Sequence, residues 1–179
     1  NLATRVCRYS ADVASGEWQN ASSFTLLRYR TFELSGKTLG IIGMGSIGKA
    51  VADIAAGFGM RVIFFSRKGD SYKDYEGVDL RTLLIRSDIV TVHCPLTPET
   101  LNMIGKEELA LMKPSALLIN TARGGIVNEE ALAEALNNET IAGAGTDVLS
   151  VEPPANGNVL LTAKNCLITP HSAWSTVEA

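Results

Sequence analysis

Four side chains suited to carbonyl chemistry stand in the second half of the chain, each just beyond an apolar run. They are Arg123 in Asn120-Thr121-Ala122-Arg123-Gly124-Gly125, Asp147 after Thr146, Glu152 in the loop that follows, and His171 in Thr169-Pro170-His171. Hydride transfer to a ketone needs a proton donor for the developing alkoxide and a cation that orients the substrate and polarises its carbonyl. His171 and Arg123 are of those types, and Glu152 can hold the imidazolium, because a carboxylate beside a histidine favours its charged form and fixes its orientation. Taken singly, each has a plainer reading: a hydrogen-bonded loop histidine, a surface cation, a solvated loop acid. His93 is the rival acid/base, but Pro95 beside it assigns that loop to the shaping of a cofactor pocket. Trp174 reads as a packing group that can also wall a substrate pocket.

A hydride needs a carrier, and the chain offers a place for one. In Leu39-Gly40-Ile41-Ile42-Gly43-Met44-Gly45-Ser46-Ile47-Gly48 an apolar strand runs into a G-x-G-x-x-G turn, and an apolar-periodic helix follows to Phe58. In that context Gly43 makes the tight turn, Gly45 admits a pyrophosphate to the backbone, and Gly48 lets the helix lie close to the strand. The phosphates then meet unpaired N–H groups at a helix N-terminus. The bland alternative is a glycine-rich turn of any α/β protein, including one that binds S-adenosylmethionine.

The elements that must position these residues follow from periodicity. Apolar runs predict strands over 38–42, 61–65, 89–94, 116–120, 141–146 and 166–169, and helical spacing predicts helices over 46–58, 80–86, 106–112 and 129–137. Near-continuous apolar strands alternating with helices indicate an α/β fold with a doubly wound parallel sheet, a Rossmann-type dinucleotide-binding domain. Leu2, Val6, Tyr9 and Val13 form one face of an opening helix over 2–14 that Gly16 ends. The segment 17–34 has no period, yet it carries Trp18, Phe24, Leu26, Leu27, Tyr29 and Phe32, and the reading favours packing on a partner subunit over packing on its own core.

Ligands of such sheets collect beyond the carboxyl ends of the strands. The expected cofactor contacts are therefore Gly43, Gly45, Ser46, Ile47 and Gly48 after the first strand and Ser66, Arg67 and Lys68 after the second. His93, Cys94 and Pro95 follow the third of these strands, with Thr100 beyond, and Thr121, Ala122 and Arg123 follow the fourth; Asp147, His171 and Ala173 complete the set. An acid about 20 residues past the glycine turn would bond the ribose hydroxyls of NAD, whereas an Arg accommodates the 2′-phosphate of NADP. Here Ser66 is followed by two cations, which tilts the choice between NAD and NADP toward NADP, although Ser66 can still bond a ribose.

The 179 residues, 46% of them hydrophobic, suffice for one good core. A net charge of −3 leaves no general basic surface for nucleic acid or an anionic membrane, so a small-molecule ligand is expected. Cys7, Cys94 and Cys166 lie far apart without a C-x-x-C pair, which indicates neither zinc nor a disulfide framework and fits a reducing cytoplasm. Asp12, Asp53, Asp70, Asp74 and Asp88 form no metal-ligand pattern, and no metal is expected. No 18-residue apolar run, signal peptide or initiator Met is seen, so the chain is expected to be a piece of a longer protein.

Together the glycine turn, His93-Cys94-Pro95-Leu96-Thr97, Asn120-Thr121-Ala122-Arg123-Gly124, Asp147 with Glu152-Pro153, and Thr169-Pro170-His171 resemble the D-isomer-specific 2-hydroxyacid dehydrogenases. The resemblance covers nearly the whole chain. It implies that Arg123, Glu152 and His171 are the catalytic trio, that Asp147 meets the nicotinamide carboxamide, and that Ala122 and Cys94 line the cofactor site. Pro170-His171-Ser172-Ala173-Trp174 looks most like the glycerate dehydrogenases, also called hydroxypyruvate reductases, whose substrates are small 2-keto and 2-hydroxy acids. D-3-phosphoglycerate dehydrogenase, another D-2-hydroxyacid dehydrogenase or a phosphite-oxidising enzyme is the alternative within the fold. A non-catalytic dinucleotide-sensing dimerisation module is the alternative of another class. The family layout further implies that residues 1–179 are the NAD(P)-binding domain, that 16–34 is the arm of a homodimer, and that most of the substrate domain is missing.

Overall fold

Short aliphatic runs become the centre of a sheet that has seven strands among the described residues. The computed structural model describes residues 1–66, 72 and 74–177. The strands are β1 (Thr38–Ile42), β2 (Arg61–Phe65), β3 (Glu76–Gly77), β4 (Ile89–Val92), β5 (Leu117–Asn120), β6 (Gly143–Thr146) and β7 (Cys166–Ile168). They lie in the order β3-β2-β1-β4-β5-β6-β7 with every pair parallel, so all carboxyl ends share one edge. The chain winds outward in both directions from the boundary between β1 and β4, which is the switch point where a crevice opens in such sheets. The doubly wound α/β expectation holds.

The helices are α1 (Val6–Ala14), α2 (Ser46–Gly57), α3 (Leu80–Arg86), α4 (Lys106–Leu111) and α5 (Glu129–Asn137). Alternate residues of each strand feed two cores. Leu83, Leu84, Leu109, Leu132 and Leu136 of α3, α4 and α5 meet Ile42, Val90, Val92 and Leu118 on one face. On the other, Ala52 and Ala55 of α2 meet Ile41, Phe64, Ile89 and Leu117. The small residues of α2 let it lie close to the strands. Asp79 and Asn128 cap α3 and α5 by accepting the N–H groups of Thr82 and Ala131.

Several boundaries differ from the sequence reading. The strand expected over 89–94 ends at Val92, because the chain turns out toward Pro95, which has no N–H for a ladder. The opening helix begins at Val6 rather than Leu2. A two-residue strand, β3, and a 3-10 turn at Val159–Thr162 were not expected, being too short to show a period. The segment 17–34 is divided. Phe32 and Leu34 pack on the α2-side core, and the Tyr29 ring meets Tyr9 edge-on at 5.0 Å, so this part belongs to the chain's own fold. Its distal part is open to solvent, with Phe24 88% and Leu27 87% exposed and Trp18 about half exposed. Among the described residues no helix is long and apolar enough to cross a membrane.

Candidate active site

The glycine turn folds as its residue types demand. Gly43 has φ +98°, and a Cβ there would strike the His93 carbonyl at 2.7 Å. A Cβ on Gly48 would lie 2.2 Å from the Gly43 oxygen, so only glycine lets α2 start this close to the turn. A Cβ on Gly45 would instead meet nothing within 4 Å among the described residues. α2 begins here with Gly45 as its N-cap and no side-chain cap, which leaves first-turn N–H groups for an anion.

Beyond the turn lies a cleft of about 420 Å³ whose lining includes Gly43, Gly45, Ser66, His93, Cys94, Pro95 and Thr100. Seven predicted cofactor residues therefore share one cavity. Ser46 and the exposed Ile47 follow in the first turn of α2. The Thr100 hydroxyl is spent on the loop itself, donating to the Pro95 carbonyl at 2.8 Å, so its part is to shape the wall. The His93 Nε2 lies 2.9 Å from the Thr91 hydroxyl, and burial pushes the His93 pKa below its usual value, which suits a neutral wall residue better than a proton donor. Arg67 and Lys68 lie outside the described residues. Tyr72, Met44, Phe65 and Met103 also line the cleft and were missed. Tyr72 donates its hydroxyl to the Met44 carbonyl inside the glycine turn at 2.6 Å and sets its ring edge-on to Phe64, a contact that no local pattern announces.

Farther along the same edge, three loops form the second half of the site. His171 Nδ1 and Glu152 Oε2 are 2.6 Å apart. The other Glu152 oxygen accepts the Leu149 N–H at 2.7 Å. That backbone bond and the His171 ring hold the Glu152 carboxyl below its usual range against partial burial and the nearby charge of Asp147. His171 adopts a left-handed backbone, φ +51°, with its N–H bonded to the Asp147 carbonyl at 2.9 Å.

Asp147 organises that turn. Its side chain is buried at the end of β6, where it accepts the Thr169 hydroxyl, the Ser172 N–H at 3.0 Å and the Ala173 N–H at 2.9 Å. Burial opposes its ionisation, yet the bonds from Thr169, Ala173 and Ser172 prevail and its pKa is lowered. Both carboxylate oxygens are thus engaged by the segment that carries His171.

The Arg123 loop completes the edge. Asn120, buried at the end of β5, accepts the Ala122 N–H at 3.1 Å and donates to the Arg123 carbonyl at 3.0 Å, which folds 120–123 into a tight turn beyond the exposed Thr121. Arg123 is exposed and its guanidinium bonds the Ala122 carbonyl at 2.7 Å. A Cβ on Gly124 would fall 1.9 Å from the Leu149 carbonyl oxygen, so the Arg123 loop lies directly against the backbone that leads to Glu152. Trp174 is 66% exposed.

An all-parallel sheet with a glycine turn and cleft at its switch point, and an acid–histidine pair farther along the same edge, defines a Rossmann-type dinucleotide-binding domain. The family model described as "D-isomer specific 2-hydroxyacid dehydrogenase, NAD binding domain" matches residues 1–173. Glycerate dehydrogenase of Methylorubrum extorquens is 47% identical over 180 aligned positions, covering 99% of this chain and 56% of that protein. Among solved structures, an acyclic imino acid reductase (Bsp5) in complex with NADPH and D-Arg superposes with a TM-score of 0.85 at 34% identity, covering 99% of this chain and 55% of that one. An NAD-complexed D-isomer specific 2-hydroxyacid dehydrogenase of Lactobacillus delbrueckii ssp. bulgaricus superposes with a TM-score of 0.81 at 35% identity, covering 98% and 56%. The chain belongs to the D-isomer specific 2-hydroxyacid dehydrogenase family, as its NAD-binding domain. It spans about half the length of these relatives.

Proposed function

We propose that the protein reduces a small 2-keto acid, hydroxypyruvate or glyoxylate, at C2 to the D-2-hydroxy acid, using a nicotinamide dinucleotide held by the glycine turn and its cleft. The observation that carries this reading is the 2.6 Å Glu152–His171 pair on the same sheet edge as that cleft. The similarity to glycerate dehydrogenase supports the substrate class.

The open side of Gly45 and the uncapped start of α2 fit a pyrophosphate. The nicotinamide, when bound, supplies the hydride that forms the new C–H bond at C2. Arg123 pairs with the substrate carboxylate and polarises the keto group. With Nδ1 engaged by Glu152, His171 gives the proton on Nε2 to the oxygen as the C=O double bond becomes a C–O single bond. Glu152 stabilises the imidazolium before transfer, and His171 regains its proton from solvent. Asp147 keeps the His171 turn in place and, in this reading, meets the nicotinamide carboxamide.

Ser66 with Arg67 and Lys68 favours NADP over NAD in this reading. The exposed Phe24 and Leu27 suit the arm over 16–34 to a homodimer, with residues 1–179 as the nucleotide-binding domain. D-3-phosphoglycerate reduction is the second reading for the same residues. In the full-length protein His171→Ala and Arg123→Ala are each expected to lower kcat/KM by about 100- to 10,000-fold. Near-parental turnover in either would refute the assignment.

A further inference from the structure

Glu129 is the first residue of α5, on an element that bears none of the proposed reacting groups. Capping of that helix falls to Asn128, so the Glu129 side chain is not needed for it. Its carboxylate instead accepts three hydrogen bonds from the loop after β6. The Ser150 N–H reaches Oε1 at 2.6 Å, and the Ser150 hydroxyl and the Asn158 amide both reach Oε2 at 2.7 Å. Ser150 and Asn158 bracket Glu152. The backbone fixed at Ser150 is also the one on which Gly124 abuts, next to Arg123.

We propose that Glu129 is a positioning residue for the site: it pins both ends of the loop that aims Glu152 at His171 and sets the ledge against which the Arg123 loop rests. This rests on the function proposed above. Bonds to a carboxylate are stronger than neutral ones, and three of them on one loop restrict it to a single arrangement. The neighbouring Glu130 is exposed in the same helical turn and carries no side-chain bond among the described residues, which makes it the natural control.

The test uses the full-length protein. Glu129→Gln keeps the volume, but in either orientation its amide nitrogen faces a donor. Displacement of Glu152 by about 1 Å is expected to lower kcat by about 10- to 100-fold. NADPH and NADH dissociation constants should stay at their parental values, because the cleft beside the glycine turn is untouched. The groups facing Glu152 are the Leu149 N–H and His171, which favour its ionised form, and Asp147, which opposes it. Loss of their alignment should raise the pH at which the Glu152 carboxyl titrates, read by carbon NMR without substrate, and move the acid limb of kcat/KM upward with it.

Asn158→Asp guards against misfolding in the first variant, since it keeps the oxygen that accepts the Leu160 N–H but sets a like charge against Glu129. It should give the same signature, with Glu130→Gln unchanged. Parental kcat and Glu152 titration in folded Glu129→Gln would overturn the proposal, as would a loss expressed wholly in cofactor affinity. If the parent protein reduces no 2-keto acid, the proposed function fails, and the Glu152 titration still decides the role of Glu129.

Discussion

The two halves of the sheet edge are built on opposite principles. Around His171 and Glu152 the chain satisfies itself: Asp147 accepts three bonds from the His171 turn, Glu152 two, and Glu129 three from the loop between. At the glycine turn the chain holds back: among the described residues there is open space beside Gly45 and no side-chain cap on α2. Reacting groups must be fixed before substrate arrives, because reorganisation during the reaction raises the barrier. A phosphate site gains from the reverse, since donors already engaged would have to be released when the ligand binds.

The largest effect should come from Gly124→Ala. Its Cβ would fall 1.9 Å from a backbone oxygen that cannot rotate away, so the Arg123 and Glu152 loops must part. A loss of about 1–3 kcal/mol is expected from such overpacking, read by thermal denaturation, together with loss of the Glu152–His171 contact. A variant of parental stability would show that the reaction end is looser than described.

Acidification probes the same end more gently. The Asp147 pKa lies below its ordinary 3.8 in the folded protein. Its contribution to the His171 turn is therefore complete above that pH and is lost only as pH falls through the lower folded value. The Ser172 and Ala173 amide resonances should hold steady above 3.8 and shift together below it. A transition centred at or above 3.8 would contradict the bonding described. The smallest effect on the fold should follow Gly45→Ala, whose methyl meets no described atom within 4 Å: stability within about 0.5 kcal/mol of the parent, with weakened binding of NADH and NADPH by calorimetry. Unchanged affinity would break the contrast from the other side.

Much of this was legible in the residues. The strand at 38–42, the helices at 80–86 and 129–137, and the acid–histidine pair all follow from apolar period and residue type. What escaped depends on partners far away in the chain. β3 has no apolar run of its own and exists because β2 offers it a ladder. Phe32 read as surface for a partner because nothing local reveals the core beneath it. Glu129 carries no local signal, because its bonds reach 21 and 29 residues ahead.

The chain holds two tryptophans, Trp18 on the open part of the segment 17–34 and Trp174 three residues past His171, and both face water. Their exposure makes them optical gauges of two different surfaces. With one replaced by Phe, the emission of the other reports alone. A blue shift from Trp18 that grows with protein concentration would mark this segment being covered by a second copy, as the proposed homodimer requires. A blue shift from Trp174 that is independent of concentration and follows added keto acid would mark closure over the proposed reacting groups.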